Sequence, residues 1–351
     1  MDKHTNSDSR ARLELAERNL QTQDTEISTS GPTLDQVDQA RNSGAGSAPR
    51  NTEAKSQGRL IRERFFHHRG ALAGMALLAL IIILAFSSIG FAGIPGWWDK
   101  EYDVLADRFN EGKPTLSLWP FSLGEHPFGQ DVLGRDYFAL TMRGIQTSLI
   151  IAFIVGMVGT AIGTLIGAVA GYFRGWTEAV LMRFTDVVIT IPTLVIAAVM
   201  AGIVARSGII PFAVFLGLIS WTGLARIVRG EFLSLREKEF VESAKSVGAK
   251  SARIIVRHIL PNTVGVIIVS ATLAISGAIL LETALSFLGL GVKAPDTSLG
   301  KAINDNRSAL TTRPWLFLWP GVFIVAIALA VNFIGDGLRD AFDPKQTRVK
   351  Q

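Results

Sequence analysis

Six apolar stretches, each near the length that carries a helix across a lipid bilayer, limit what this chain can become. They run over about 71–92, 147–171, 180–205, 210–224, 263–281 and 314–334. The fold class expected is all-α: a polytopic membrane protein of six transmembrane helices. With 48% hydrophobic and 19% charged residues and a mean hydropathy of +0.33, the 351-residue chain is too apolar for a soluble protein. The first apolar run begins near Ala71, too late for a cleaved signal peptide.

Charge and cysteine content narrow the function. There is no cysteine, which excludes disulfides, thiol catalysis and cysteine metal sites. The net charge of +5 sits beside apolar segments rather than in a basic stripe with interleaved aromatics, so it reads as membrane topology and no nucleic-acid partner is expected. With both ends placed inside, about nineteen basic residues from Lys55 onward fall on the inner side and about ten on the outer. This orientation puts the turn at Arg174 and the segment from Arg226 to Asn262 in the cytoplasm. Residues 1–58, polar and poor in bulky apolar side chains, read as a disordered cytoplasmic tail.

The segment Glu239 to Asn262 is polar and basic yet lies between two apolar runs, so it is read as a water-side loop. Phe240, Ala244 and Val247 recur at i, i+4 and i+7 and form one apolar helical stripe, with Glu239, Glu242, Lys245 and Ser246 on the other side. Gly248 supplies a helix stop, because glycine takes a left-handed cap without steric cost. His258-Ile-Leu-Pro261-Asn262 marks the boundary to the fifth span. Ala244 to Ser251 has the length of a phosphate-binding loop, but alanine replaces both of its glycines, so ATP binding by this chain is not expected.

Inside the spans, Gly159, Gly163, Gly167 and Gly171 share one helix face and read as a close helix-packing surface. Pro192 predicts a kink in the third span. Two acids, Asp186 and Glu282, are pore or ion-pair candidates. Asp186 either pairs with a nearby arginine or faces an aqueous vestibule. Glu282 either faces the pore or bonds a neighbouring helix, and the second is preferred. His126, Asp131 and Asp136 read as parts of a structural turn rather than metal ligands, since their spacing matches no known metal site.

These same residues carry a family resemblance. Glu242-Ser243-Ala244, then Gly248, then His258 to Asn262 resembles the cytoplasmic "EAA" loop of type I ABC importer permeases, which docks into a groove on the ATPase subunit; Ser243 stands where the family's first alanine is usual. His126 to Asp136, Trp221 to Arg226, Arg229 to Glu237 and Glu282 to Val292 resemble the C-type permease subunit of dipeptide and oligopeptide importers. The resemblance implies a C-type amino-terminal region over 59–146, a type I permease domain over 147–344 and a short tail over 345–351. It implies ATPase coupling through Phe240, Glu242, Ser243, Ala244, Val247, Gly248, His258 and Pro261. The partners implied are a homologous permease in a heterodimer, two ATPase subunits that hold the ATP and magnesium, an extracytoplasmic substrate-binding protein and the lipid of a bacterial inner membrane. No cofactor and no catalytic residue belong to this chain on that reading. Nickel, glycosides or antimicrobial peptides are alternative cargoes. A proton-coupled secondary transporter would need mid-bilayer acids or histidines, and an intramembrane enzyme a reactive constellation in the spans; all five histidines lie outside them.

Overall fold

Proline, glycine and a few capping side chains set where the helices begin and bend. The structure, a computed structural model, describes residues 57–343. The tails read over 1–58 and 345–351 lie outside the described residues, except that Gln57 and Gly58 open a helix. That helix, α1 (Gln57–His67), precedes α2 (Arg69–Ser88), the first span. His68 separates them and caps α2 by accepting the Ala71 N–H on Nδ1 at 3.0 Å. Two short antiparallel hairpins follow: β1 (Gly90–Phe91) with β2 (Ile94–Pro95), and β3 (Ser117–Leu118) with β4 (Phe121–Ser122), with Gly90 opposite Pro95 and Ser117 opposite Ser122.

The second span is α3 (Tyr137–Phe173). At 37 residues it is about 55 Å long, well beyond the ~30 Å hydrocarbon core. It begins ten residues before the apolar run suggests, because Asp136 caps it by accepting the Ala139 N–H at 2.7 Å. Four elements follow: α4 (Gly175–Thr190), α5 (Thr193–Val204), α6 (Ile209–Ile219) and α7 (Thr222–Arg236). They form two bent pairs, α4–α5 at 79° and α6–α7 at 46°. Pro192, expected to kink the third span, breaks it. The fourth span, expected to end near Leu224, breaks at Ser220 and continues as helix to Arg236.

Beyond α8 (Glu239–Ser246) come α9 (Ser251–Ile254), a π-helical turn (Ile255–Ile259) and α10 (Leu260–Phe287), together one run of 37 residues. Pro261 is therefore not the loop boundary that the sequence suggests. The Leu260 N–H reaches back to Ile255 O, five residues away, and this wider turn carries the helix past a residue with no N–H of its own. The expected connection 293–313 contains α11 (Leu299–Asp305), and α12 (Trp315–Phe342) is the last span. Four continuous helices are long and apolar enough to cross a membrane, and each bent pair counted as one span makes six.

α3 is the axis of the bundle and touches α2, α4, α6, α7, α10, α11 and α12. Its fully buried Tyr137, Leu140, Met142, Ile145 and Ile151 pack with Phe212 and Leu216 of α6, Ile279 of α10 and Leu316 of α12. Gly163, Gly167 and Gly171 lie directly on α7: a Cβ at Gly167 would come within 2.5 Å of Ala225 O, and one at Gly171 within 2.6 Å of Phe232 Cβ. Gly159 shares that face less tightly: a Cβ there would lie 3.6 Å from Gly217 O, an ordinary contact. Arg64 donates to Asp343 O at 3.0 Å, and Leu60, Glu231, Pro261 and Phe342 line one cavity. Both described termini thus sit at the end of the bundle that carries α8. The hairpins, the His126 segment and α11 gather at the other end.

Candidate functional site

The short helix α8 owes its bounds to its termini. Glu239 and Glu242 occupy the first turn, where the helix dipole favours negative charge. Gly248 takes φ +79° and closes a Schellman cap, with its own N–H on Lys245 O at 2.9 Å and the Ala249 N–H on Ala244 O at 3.1 Å. The expected stripe divides on packing. Val241, absent from that stripe, is fully buried among Val228 and Phe232 of α7, Ile254 of α9 and Ile259 of the π turn, with Ala244 half-buried beside it. Phe240 and Val247 turn away from the body and are 41% and 89% exposed. The correction has a simple cause. Residues i and i+3 of one turn, Val241 and Ala244, fit the floor formed by α7 and the π turn, which leaves the remaining apolar groups outside.

Around α8, Glu242, Ser243 and Gly248 are exposed, His258 is half-buried and Pro261 is exposed. Asn262 donates its side-chain N–H to His258 O at 2.6 Å. The result is a surface helix fixed by an apolar root, with two large apolar side chains and two carboxylates on its exposed side.

The two acids of the spans occupy different surroundings. Asp186 on α4 lies 2.6 Å from the Arg226 guanidinium of α7, and both side chains are about half exposed (52% and 48%). Glu282 on α10 is fully buried and bonds across helices. Ser148 of α3 donates to it at 2.9 Å, Ser286 of α10 at 2.7 Å, and Ser298 reaches the same carboxylate. Each serine oxygen in turn lies near a backbone N–H: Leu299 and Lys301 of α11 at 3.4 Å and 3.2 Å on Ser148 and Ser298, and Val292 of the α10–α11 connection at 3.2 Å on Ser286. One carboxylate thereby ties α3, α10 and α11 together.

His126, Asp131 and Asp136 form two separate structural contacts. Lys100 donates to His126 Nε2 at 3.3 Å, so Nδ1 carries the proton toward Asp136 Oδ2 at 2.7 Å. Trp98 and the α3 cap occupy the other Asp136 oxygen. Asp131 pairs with Arg135 at 2.6 Å. Among the described residues no cluster of three or more His, Cys, Asp or Glu side chains is arranged to hold a metal ion. Sequence reading also missed three charged contacts beside α8: Arg174 with Glu237 at 2.8 Å, Arg229 Nε with Glu178 at 2.7 Å, and Arg236 with the Tyr172 carbonyl. The only signal for the first two was a supply of opposite charges on flanking helices, and the third, to a backbone carbonyl, had none.

With this geometry in view, comparison with known proteins gives a consistent result. Residues 163–348 match the model of the binding-protein-dependent transport system inner membrane component, and residues 56–102 match the N-terminal TM domain of oligopeptide transport permease C. The oligopeptide transport system permease protein OppC of Mycobacterium tuberculosis (strain ATCC 25618 / H37Rv) is 36% identical over 301 residues, covering 86% of this chain and 99% of the relative. A putative peptide permease protein of Brucella ovis is 40% identical over 285 residues, 80% of this chain and 89% of its own. OppC of Haemophilus influenzae is 36% identical over 302 residues, 85% and 93% of the two chains.

Proposed function

Because this chain belongs to the inner membrane components of binding-protein-dependent transport systems, we propose that it is one permease subunit of an ATP-driven ABC importer of oligopeptides. It forms the translocation path with a homologous permease above a pair of ATPase subunits, docks on the ATPase side through α8, and receives cargo at the α11 end from a substrate-binding protein. The observation that carries this reading is α8 itself, a capped helix rooted by Val241 that holds Phe240 and Val247 outward. Peptide is favoured over nickel, glycosides or antimicrobial peptides because the relatives reported above are named for peptide or oligopeptide.

The α8 end lies in the cytoplasm on this reading, and so do both described termini. The excess of basic residues on that side and the bond from Arg64 to Asp343 O support it. ATP and magnesium belong to the partner ATPases, and this chain performs no bond chemistry. Closure of the ATPase pair displaces α8, and the spans shift between inward-open and outward-open arrangements. The energy comes from the difference in ATPase binding to those two states.

A pull-down of the tagged chain in mild detergent, combined with peptide-uptake growth tests on a deletion strain, tests the reading. It expects a second permease, ATPases and loss of peptide uptake on deletion. Intact peptide uptake overturns the cargo, and recovery of the chain alone overturns the importer. Coupling has its own test. Gly248→Pro cannot adopt φ +79° and removes the N–H that bonds Lys245 O. This variant, like Glu242→Lys, is expected to reach the membrane yet separate ATP hydrolysis from uptake; normal uptake would remove α8 from the coupling role.

A further inference from the structure

Two kinds of contact surround α7. On its α3 side, glycines bring the helix backbones into direct contact and nothing can give. On its α4 side the contact is charged and incompletely filled. Glu178 meets Arg229, Asp186 meets Arg226, the Phe184 ring stacks on Trp221 at 6.0 Å, and an open, shallow pocket along α4, lined by Glu178, Met182 and Arg183, reaches Arg229 of α7. Along α4 only Thr185 is buried. The ends of α4 are bends as well. Arg174 has φ +56° and Gly175 φ +58° at one end, and the 79° break at Ile191–Pro192 closes the other. Both residues of that break are exposed. A helix break within a span leaves carbonyls without partners and is tolerated only beside protein or a water-filled path, not against lipid.

We propose that α4 is a movable gate along the translocation path, hinged at Arg174–Gly175 and at Ile191–Pro192 and latched to α7 by the pairs Glu178–Arg229 and Asp186–Arg226, while α3, α7 and α8 stay together as the frame. Part-exposed ion pairs suit a latch, since each is individually weak and water replaces the lost partners when it opens. The glycine contact between α3 and α7 has no such exchange. Arg226 and Arg229 are then positioning residues, which hold α4 without touching cargo. This inference rests on the importer reading given above.

The absence of cysteine makes the test direct. In the assembled importer, with cysteine-free partner subunits, spin labels at Ala179→Cys on α4 and Ser234→Cys on α7 report the latch, and labels at Leu165→Cys on α3 and Ser234→Cys report the frame. The expected result is a shift of the α4–α7 distance between nucleotide-free and ATP-trapped states with the α3–α7 distance unchanged. An unchanged α4–α7 distance, or an equal shift in both pairs, overturns the gate. Replacing both Arg226 and Arg229 by Ala is expected to broaden the α4–α7 distances and lower uptake per ATP roughly tenfold, from two weak pairs lost together. The exchange Glu178→Arg with Arg229→Glu is expected to recover most of what Arg229→Glu alone loses. Unchanged uptake per ATP in the alanine variant, or no recovery in an assembled exchange variant, also overturns it. The distances do not depend on cargo. A complex that shifts them yet takes up no peptide overturns the peptide reading and leaves the gate standing, whereas failure to recover ATPases overturns the importer reading itself.

Discussion

The two ends of this bundle use the same polar side chains in opposite ways. At the α11 end three acids are buried and bonded on several sides: Glu282 with its serines, Asp136 with His126, Trp98 and the α3 cap, and Asp131 with Arg135. At the α8 end the charges are paired but wet, as in Asp186–Arg226 and Arg174–Glu237, and apolar side chains stand out unpaired. A buried network resists change because each broken bond leaves a desolvated group behind. An exposed one rearranges at little cost, because water substitutes for the partner. The molecule thus combines a fixed end, suited to holding the mouth of a path in register, with an adaptable end suited to a moving partner.

The largest expected effect comes from removing the hub of the fixed end. Glu282→Leu deprives the serine hydroxyls of their acceptor in a dry interior and should destabilise the protein by about 3 kcal/mol. Glu282→Gln, which keeps one oxygen, should cost about 1 kcal/mol. Thermal unfolding in detergent checks both, and equal melting temperatures for Leu, Gln and the native residue would mean that the α11 end is not held by this carboxylate. A smaller loss, about 1–2 kcal/mol, is expected for Asp136→Ala, which removes the α3 cap and the partner of His126. Hydrogen exchange should localise that loss to the first turns of α3 and the His126 segment, and exchange spread evenly over the spans would refute a local role.

Much of the fold was legible because its signals are local. Apolar run length marked the four continuous spans and the two bent pairs, the periodic glycines marked a single face of α3, and Gly248 marked the end of α8. What escaped was set by partners distant in the chain. Ser148 lies 134 residues from Glu282, and Arg229 lies 51 from Glu178, so no window of sequence contains either contact. Ser220 breaks the fourth span with neither proline nor glycine at the bend, and Pro261 fails to end a helix because the π turn before it makes room. The root of α8 was missed for a related reason. Periodicity shows which residues share a face, but whether that face points inward depends on where α7 and the π turn supply a floor.

That last point gives the smallest expected change in stability and the sharpest test of the comparison. Val241 and Val247 are the same residue type, six positions apart on and just beyond one short helix, yet one is fully buried and the other 89% exposed. Val241→Ala removes packed methyl groups and should lower stability by about 1–2 kcal/mol. Val247→Ala removes methyl groups already in water, so unfolding of the isolated chain should change by less than about 0.5 kcal/mol. In the assembled complex the order should reverse. If Val247 enters a partner's apolar pocket, its truncation should weaken ATPase capture roughly tenfold, the cost of about 1.4 kcal/mol at an interface. A titration of purified ATPase onto the two variants decides it. Weakening by Val241→Ala alone would mean that α8 matters only as a folded support, and that the surface which meets the ATPase lies elsewhere on this end of the bundle.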